Sequence, residues 1–287
     1  MKSKENISEK INIEKTEIPE DYHCDCKYCQ KFLGVLKRKD GSYYSKLERR
    51  RYYDVDEQHL AKTPLHGNRW CIQEFSKEDE WIFDPTIGTG TTAVEALRNN
   101  RKAAGIEIEE KYFDVINKNL KINNPYHQVQ KVFNEDARNT TLCLEKISKK
   151  PFIQLVMNNP PYSGDFNQPG FGKQGERYSN KNQSLAYLKE GEEYYRLLKS
   201  IYQQAINFLK QEGYFCIMVK DMVRNKKPYL LHKYLAEVLE ELGLKYQGMA
   251  LLPHWPPTLF MNTYQKQYPE VKKIPLYQTI IIFKKEA

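Results

Sequence analysis

The stretch Trp81-Ile82-Phe83-Asp84-Pro85-Thr86-Ile87-Gly88-Thr89-Gly90-Thr91-Thr92-Ala93 decides the fold. A short apolar run closed by an acid and a proline reads as the end of a buried strand. Gly88 and Gly90 let the backbone turn sharply and let a ligand approach without meeting a Cβ, and 91–100 then reads as a helix. A second strand ends at Gly105-Ile106-Glu107, where a carboxylate can accept hydrogen bonds from ribose hydroxyls. The spacing Gly88-x-Gly90-x-x-Ala93 followed by Glu107 equally satisfies a dinucleotide-binding fingerprint. The loop therefore points to a nucleoside cofactor without saying which one.

Outward from this loop the same alternation continues. A helix is expected over 112–120, strands over 129–133 and 152–157, a helix over 194–209 and a strand over 214–219. A helix over 231–242 and strands over 244–252 and 279–283 complete the pattern. Strands alternating with helices predict an α/β fold, a doubly wound Rossmann-like sheet that is mostly parallel and binds ligands at the carboxyl ends of its strands. The last two strands have no helix between them, so they are expected to pair antiparallel. Two stretches stand outside the alternation: 163–189, rich in Gly, Asn, Gln and Ser, and 253–275, rich in Pro, Tyr and Lys. Long loops in a compact domain often carry function, and 163–189 is the candidate for closing over a substrate.

The Val156-Met157-Asn158-Asn159-Pro160-Pro161-Tyr162 segment follows the fourth strand directly. Two consecutive prolines fix φ and remove two N–H donors, so nearby carbonyls are expected to face outward as acceptors. Asn159 adds a side-chain carbonyl. Together these acceptors can hold both hydrogens of an –NH2 group attached to an aromatic ring. Such an amine is a poor nucleophile because its lone pair is shared with the ring. Accepting both hydrogens favours a pyramidal nitrogen whose lone pair can attack, and Tyr162 offers a flat face for the base. A nicotinamide enzyme has no use for this arrangement.

At this point the chain resembles the N4-cytosine/N6-adenine DNA methyltransferases, from about residue 59 to the C-terminus. Asp84-Pro-Thr-Ile-Gly-Thr-Gly-Thr-Thr is similar to their first motif, with Thr86-Ile87 where Phe-x is usual. The resemblance implies S-adenosylmethionine as cofactor, held by Asp84, Pro85, Gly88, Gly90, Thr91, Thr92 and Glu107. Lys62-Thr63-Pro64-Leu65-His66 resembles the segment that seats its methionine end, through Thr63 and Pro64. Asp136 and Ala137, in Asn134-Glu135-Asp136-Ala137, resemble the strand end that binds its adenine amine. Asn159, Pro160, Pro161 and Tyr162 match the catalytic motif, and 227–232 with Gly243 resembles the family's C-terminal part. The implied reaction is direct methyl transfer to the exocyclic amine of a flipped base, with no cysteine nucleophile. Asn at the first motif position favours N6-adenine over N4-cytosine. An RNA base amine or a protein glutamine amide is the alternative substrate, since those families use similar turns. The cofactor motifs precede the catalytic one, whereas many relatives are permuted, and no large recognition domain is present. Target choice would then fall to the N-terminal module, to the two odd loops or to a partner; a restriction nuclease is a candidate partner.

Composition agrees with a polyanionic substrate. The 287 residues carry 45 Lys and Arg against 37 acids, a formal charge of +8. Residues 31–51 hold eight basic side chains with Tyr43 and Tyr44 among them and Tyr52 and Tyr53 just beyond, a mixture suited to phosphates and stacked bases or to a solvated face. The opening 1–20 is polar, without a hydrophobic centre, and no run is long enough to span a bilayer, so a cytoplasmic protein without membrane contact is expected. Residues 1–20 are expected to be a flexible tail, 21–58 a small cysteine-containing, basic and tyrosine-rich module, and 59–287 the methyltransferase domain.

Within that module Cys24, Cys26 and Cys29 bring three thiols into a short span. Disulfides are not expected in a cytoplasmic chain, and a zinc knuckle or free surface thiols remain the two readings. A zinc site needs a fourth ligand, for which His23, His66 and Cys71 are the candidates. Cys143 and Cys216 read as ordinary core residues.

Overall fold

A computed structural model of the protein describes residues 9–37, 53, 63–123, 129–161, 185, 188, 191–224, 227–253 and 277–286. Eleven strands are present among them: β1 (Asn12–Glu14), β2 (Phe32–Lys37), β3 (Trp81–Asp84), β4 (Lys102–Glu107), β5 (Gln130–Asn134), β6 (Ile153–Asn158), β7 (Leu209–Lys220), β8 (Met222–Arg224), β9 (Lys227–Tyr229), β10 (Lys245–Pro253) and β11 (Tyr277–Lys284). The helices are α1 (Leu65–Phe75), α2 (Thr91–Arg98), α3 (Glu110–Asn123), α4 (Thr140–Glu145), α5 (Glu192–Phe208) and α6 (Leu231–Glu241).

The predicted doubly wound α/β sheet is present, with strand order β1-β2-β10-β11-β7-β6-β3-β4-β5. The β7-β6-β3-β4-β5 half is parallel throughout. β11 lies antiparallel between β10 and β7, as the sequence, with no helical pattern before it, predicts. These strands read as continuous apolar runs because both faces are covered. One face packs Leu198, Ile201, Tyr202 and Ala205 of α5 and Leu235 and Leu239 of α6. The other packs Trp70 and Ile72 of α1, Val94 and Leu97 of α2, and Ile116 and Leu120 of α3. Apolar side chains three and four apart put one stripe of each helix on the sheet.

Two expectations are corrected here. Residues 9–37 form neither a loose tail nor a separate module: β1 pairs antiparallel with β2, and β2 extends the main sheet in parallel beside β10. Ile11 is buried, and Gln73 of α1 accepts from its N–H while donating to the Glu9 carbonyl. Polar edge strands such as Asn12–Glu14 lack the apolar run that betrays a central strand. Second, β7 starts at Leu209 instead of 214, because residues 210–213 bulge out of an otherwise continuous ladder, with Glu212 at φ 63°. Among the described residues, no helix is long and apolar enough to cross a membrane.

Candidate active site

The glycine loop and the Asn-Pro-Pro turn leave adjacent strands, β3 and β6, at their carboxyl ends. Gly88 and Gly90 have φ of 60° and 88°, and Gly90 opens α2 from the left-handed region. A Cβ at Gly90 would lie 3.2 Å from the Ile116 side chain, so the turn and its packing on α3 both favour glycine. Gly105 of β4 is tighter still, since a Cβ there would come within 2.4 Å of Ile87 Cδ1.

Asp84 sits beneath the loop as an organiser. Its Oδ1 accepts from Thr86 N–H at 3.1 Å and Asn158 Nδ2 at 2.9 Å, while Oδ2 accepts from Thr92 Oγ1 at 2.6 Å. Burial pushes its carboxyl up to about 6, despite hydrogen bonds from Thr92, Asn158 and Thr86 that favour the charge. Thr92 Oγ1 also accepts from Asn68 Nδ2 at 2.9 Å, which ties α1 to the loop. Pro85, Thr91 and Thr92 are buried here, and the Thr91 carbonyl accepts from Tyr53 Oη at 3.5 Å.

Glu107 ends β4 facing the same loop. Its Oε2 accepts from Gly88 N–H and its Oε1 from Glu109 N–H, each at 2.9 Å. Burial pushes its carboxyl up to about 8, against those two backbone donors. At neutral pH the side chain therefore keeps its proton unless further donors favour the charge. Asp136, in contrast, is already engaged: Oδ1 caps the following turn at Arg138 N–H, and Oδ2 accepts from Arg138 Nε at 2.9 Å. Ala137 is buried beside it.

The Asn-Pro-Pro turn is held from both sides. Asn159 Nδ2 donates to Thr63 Oγ1 at 3.0 Å, so a threonine expected in the cofactor seat lies against the Asn159 amide, next to Pro64. The Pro161 carbonyl accepts from Tyr194 Oη at 2.8 Å, so this acceptor is not turned outward as the proline pair predicts. Pro160 is buried, and Tyr162 lies outside the described residues, as does the whole of the expected closing loop 163–189 apart from residues 185 and 188.

Sequence reasoning missed Asn158. Wholly buried, it donates through Nδ2 to Asp84 Oδ1 and, at 2.8 Å, to Thr86 Oγ1, while its Oδ1 accepts from Tyr202 Oη at 2.8 Å. It is thus the direct link between the two loops. A polar residue closing an apolar strand was the available signal.

The thiol cluster also differs from expectation. Cys24, Cys26 and Cys29 meet His232 of α6, not His23, His66 or Cys71. His23 contacts Asp221 instead, and His66 and Cys71 lie on α1, with Cys71 packed on the opposite face of the sheet. Most of the basic 31–51 stretch lies outside the described residues. Of the described residues there, Lys37 pairs with Glu14, and Tyr53, just beyond, is buried against Glu95 and so presents no stacking face.

The glycine loop and the Asn-Pro-Pro turn lie side by side at the strand ends of a doubly wound sheet of the Rossmann-like methyltransferase type. Residues 63–227, more than half of the chain, match the family described as N-6 DNA methylase, and residues 2–118 match one described as DNA methylase. The chain belongs to the N-6 DNA methylase family. It is 48% identical over 64 residues to the orphan methyltransferase M.BamHII of Bacillus amyloliquefaciens, which is 22% of this chain and 24% of that one. It is 38% identical over 65 residues to the type II methyltransferase M.BglI of Bacillus subtilis, covering 23% and 19% of the two chains. With M.Cfr9I of Citrobacter freundii, another type II methyltransferase, it shares 29% identity over 94 residues, 31% of each chain. The chain therefore spans less than a third of the length of these curated relatives.

Proposed function

We propose that this protein transfers a methyl group from S-adenosylmethionine to the exocyclic amine of a base in DNA, with the base flipped out of the helix and N6-adenine favoured over N4-cytosine. The observation that carries this is the Asn158 bridge, which holds the Asn159-Pro160-Pro161 turn against the glycine loop. Type II DNA methyltransferases among its relatives support DNA as the substrate.

The residues around the loop fit the cofactor. Gly88 and Gly90 leave the approach open, and Glu107 offers carboxylate oxygens of the kind that bind a ribose diol. Thr63, Pro64, Pro85, Thr91, Thr92 and Ala137 would line the same groove, with Asp84 holding the loop from beneath. Asp136 would have to share an oxygen already accepting from Arg138. S-adenosylmethionine bound there supplies an electrophilic methyl group.

The chain's own part is to make the amine nucleophilic. With Nδ2 committed to Thr63, Asn159 has Oδ1 to accept one amine hydrogen. The Pro160 carbonyl is the natural second acceptor, since Pro161 already receives Tyr194. Taking both hydrogens frees the nitrogen lone pair from the ring, and Tyr162 would stack on the base. No side chain in this set acts as a covalent nucleophile.

The test is incubation with methyl-tritiated S-adenosylmethionine and, separately, unmethylated DNA, RNA and cell protein, followed by digestion to single components. Label appearing as N6-methyladenine in DNA is the expected result, with Asn159→Ala losing it by orders of magnitude while still binding cofactor. Label only as N4-methylcytosine corrects the base, and label only in RNA or protein overturns the substrate. Near-parental turnover by Asn159→Ala would overturn the catalytic assignment.

A further inference from the structure

We infer that Cys24, Cys26, Cys29 and His232 hold one structural zinc ion, which ties the segment between β1 and β2 to the first turn of α6. The four ligand atoms lie within 4.8 Å of one another. Cys26 Sγ is 3.6 Å from Cys29 Sγ and 3.6 Å from His232 Nε2, and Cys29 Sγ is 4.0 Å from the same nitrogen. A tetrahedron with Zn–S of about 2.3 Å and Zn–N of about 2.0 Å has S···S edges of about 3.8 Å and S···N edges of about 3.5 Å. The two Cys26 spacings lie within about 0.2 Å of those edges, and the Cys29–His232 spacing is about 0.5 Å longer. A disulfide needs sulfurs about 2.05 Å apart, and all three cysteines are free thiols.

The surroundings are built as a ligand's would be. His232 Nδ1 lies 2.5 Å from Asp221 Oδ2, and its backbone N–H donates to Asp221 Oδ1 at 3.0 Å. That carboxylate fixes the tautomer, so the Nε2 lone pair faces the sulfurs, as outer-shell carboxylates do for metal-bound histidines. Cys24 Sγ accepts from Cys26 N–H at 3.3 Å, a bond that stabilises a thiolate. Cys24, Cys29 and His232 are buried, with Cys26 partly so. Three thiolates and one imidazole select zinc over harder cations, and four protein ligands leave no position for substrate, which makes the site structural.

Sequence spacing hid this site because His232 is 203 residues from Cys29. The neighbouring loop has independent anchors: Lys27 Nζ and Tyr28 Oη both donate to Glu240 of α6, and Tyr246 Oη donates to the Tyr28 carbonyl. Loss of metal should therefore loosen this corner without unfolding the sheet.

The test uses the full chain and reads metal, not methylation. Elemental analysis should find about one zinc per chain. After removal with a strong chelator, cobalt(II) added alone should give thiolate-to-cobalt charge transfer and the intense visible bands of a tetrahedral site. His232→Cys, which keeps a fourth soft ligand, should retain metal with those visible bands displaced. Cys24→Ser/Cys29→Ser should lose metal. Folded parent protein that carries no zinc and takes up neither zinc nor cobalt would overturn the assignment. So would an octahedral cobalt spectrum, or full zinc retained by the double serine variant.

Discussion

Replacing Asn158 with alanine should both destabilise the protein and weaken its hold on the cofactor. The side chain donates to Asp84 at 2.9 Å and to Thr86 at 2.8 Å, and accepts from Tyr202 at 2.8 Å, with the Asp84 and Tyr202 bonds buried. A neutral buried bond contributes about 1 kcal/mol and one to a carboxylate about 1.5–3 kcal/mol, so removal should cost about 3–5 kcal/mol. Domains of 150–250 residues lose about 2–4 °C of Tm per kcal/mol, which gives a fall of roughly 6–20 °C. Circular-dichroism melts of parent, Asn158→Ala, Tyr202→Phe and the double variant would measure it. Because the amide and the phenol share a bond, the double variant should lose about 1 kcal/mol less than the sum of the singles. Calorimetry with S-adenosylmethionine should show weaker binding as well, since the glycine loop loses its brace to β6. A single variant melting within about 2 °C of the parent, with unchanged affinity, would refute the bridge.

Two further outcomes follow from the same site. Glu107 is held up to about 8 by burial, so the folded state keeps a proton that the unfolded chain releases near pH 4.5. Stability should therefore fall as pH rises from 5 to 8, by up to about 1.4 kcal/mol per unit, and Glu107→Gln should flatten that profile in thermal melts. Parallel profiles would contradict it. Thr63→Val should lower kcat about ten- to a hundredfold by releasing the Asn159 amide, with Thr63→Ser restoring it. A change confined to cofactor affinity would instead return Thr63 to the cofactor seat alone.

The centre of the sheet was legible because β3, β4 and β6 are short, largely apolar runs ended by an acid or an asparagine. β3, β4, β6 and the loops behind them carry their chemistry within a few residues of one another in sequence. What escaped depends on contacts that sequence distance conceals. β2 is half apolar, but its partner β10 lies near the other end of the chain. Asn158 looked like the last residue of a strand, since nothing local reveals that Asp84 and Tyr202 converge on it. Asp136 read as an open ligand because its neighbour Arg138 can take either of its oxygens or point elsewhere. His232 was one histidine among several until α6 brought it to the thiols.

The pairing of β2 with β10 also sets a schedule for synthesis. A ribosome adding about 5–20 residues per second needs roughly 10–40 s to travel from the end of β2 to the end of β10. During that interval β1 and β2 can form a ribbon with each other, but the sheet edge they belong to does not yet exist. Such a nascent ribbon offers an open flank to any other emerging chain. The early residues of this protein are therefore the ones most in need of a chaperone's cover, and slowing translation after residue 37 should cost more soluble product than slowing it after residue 253.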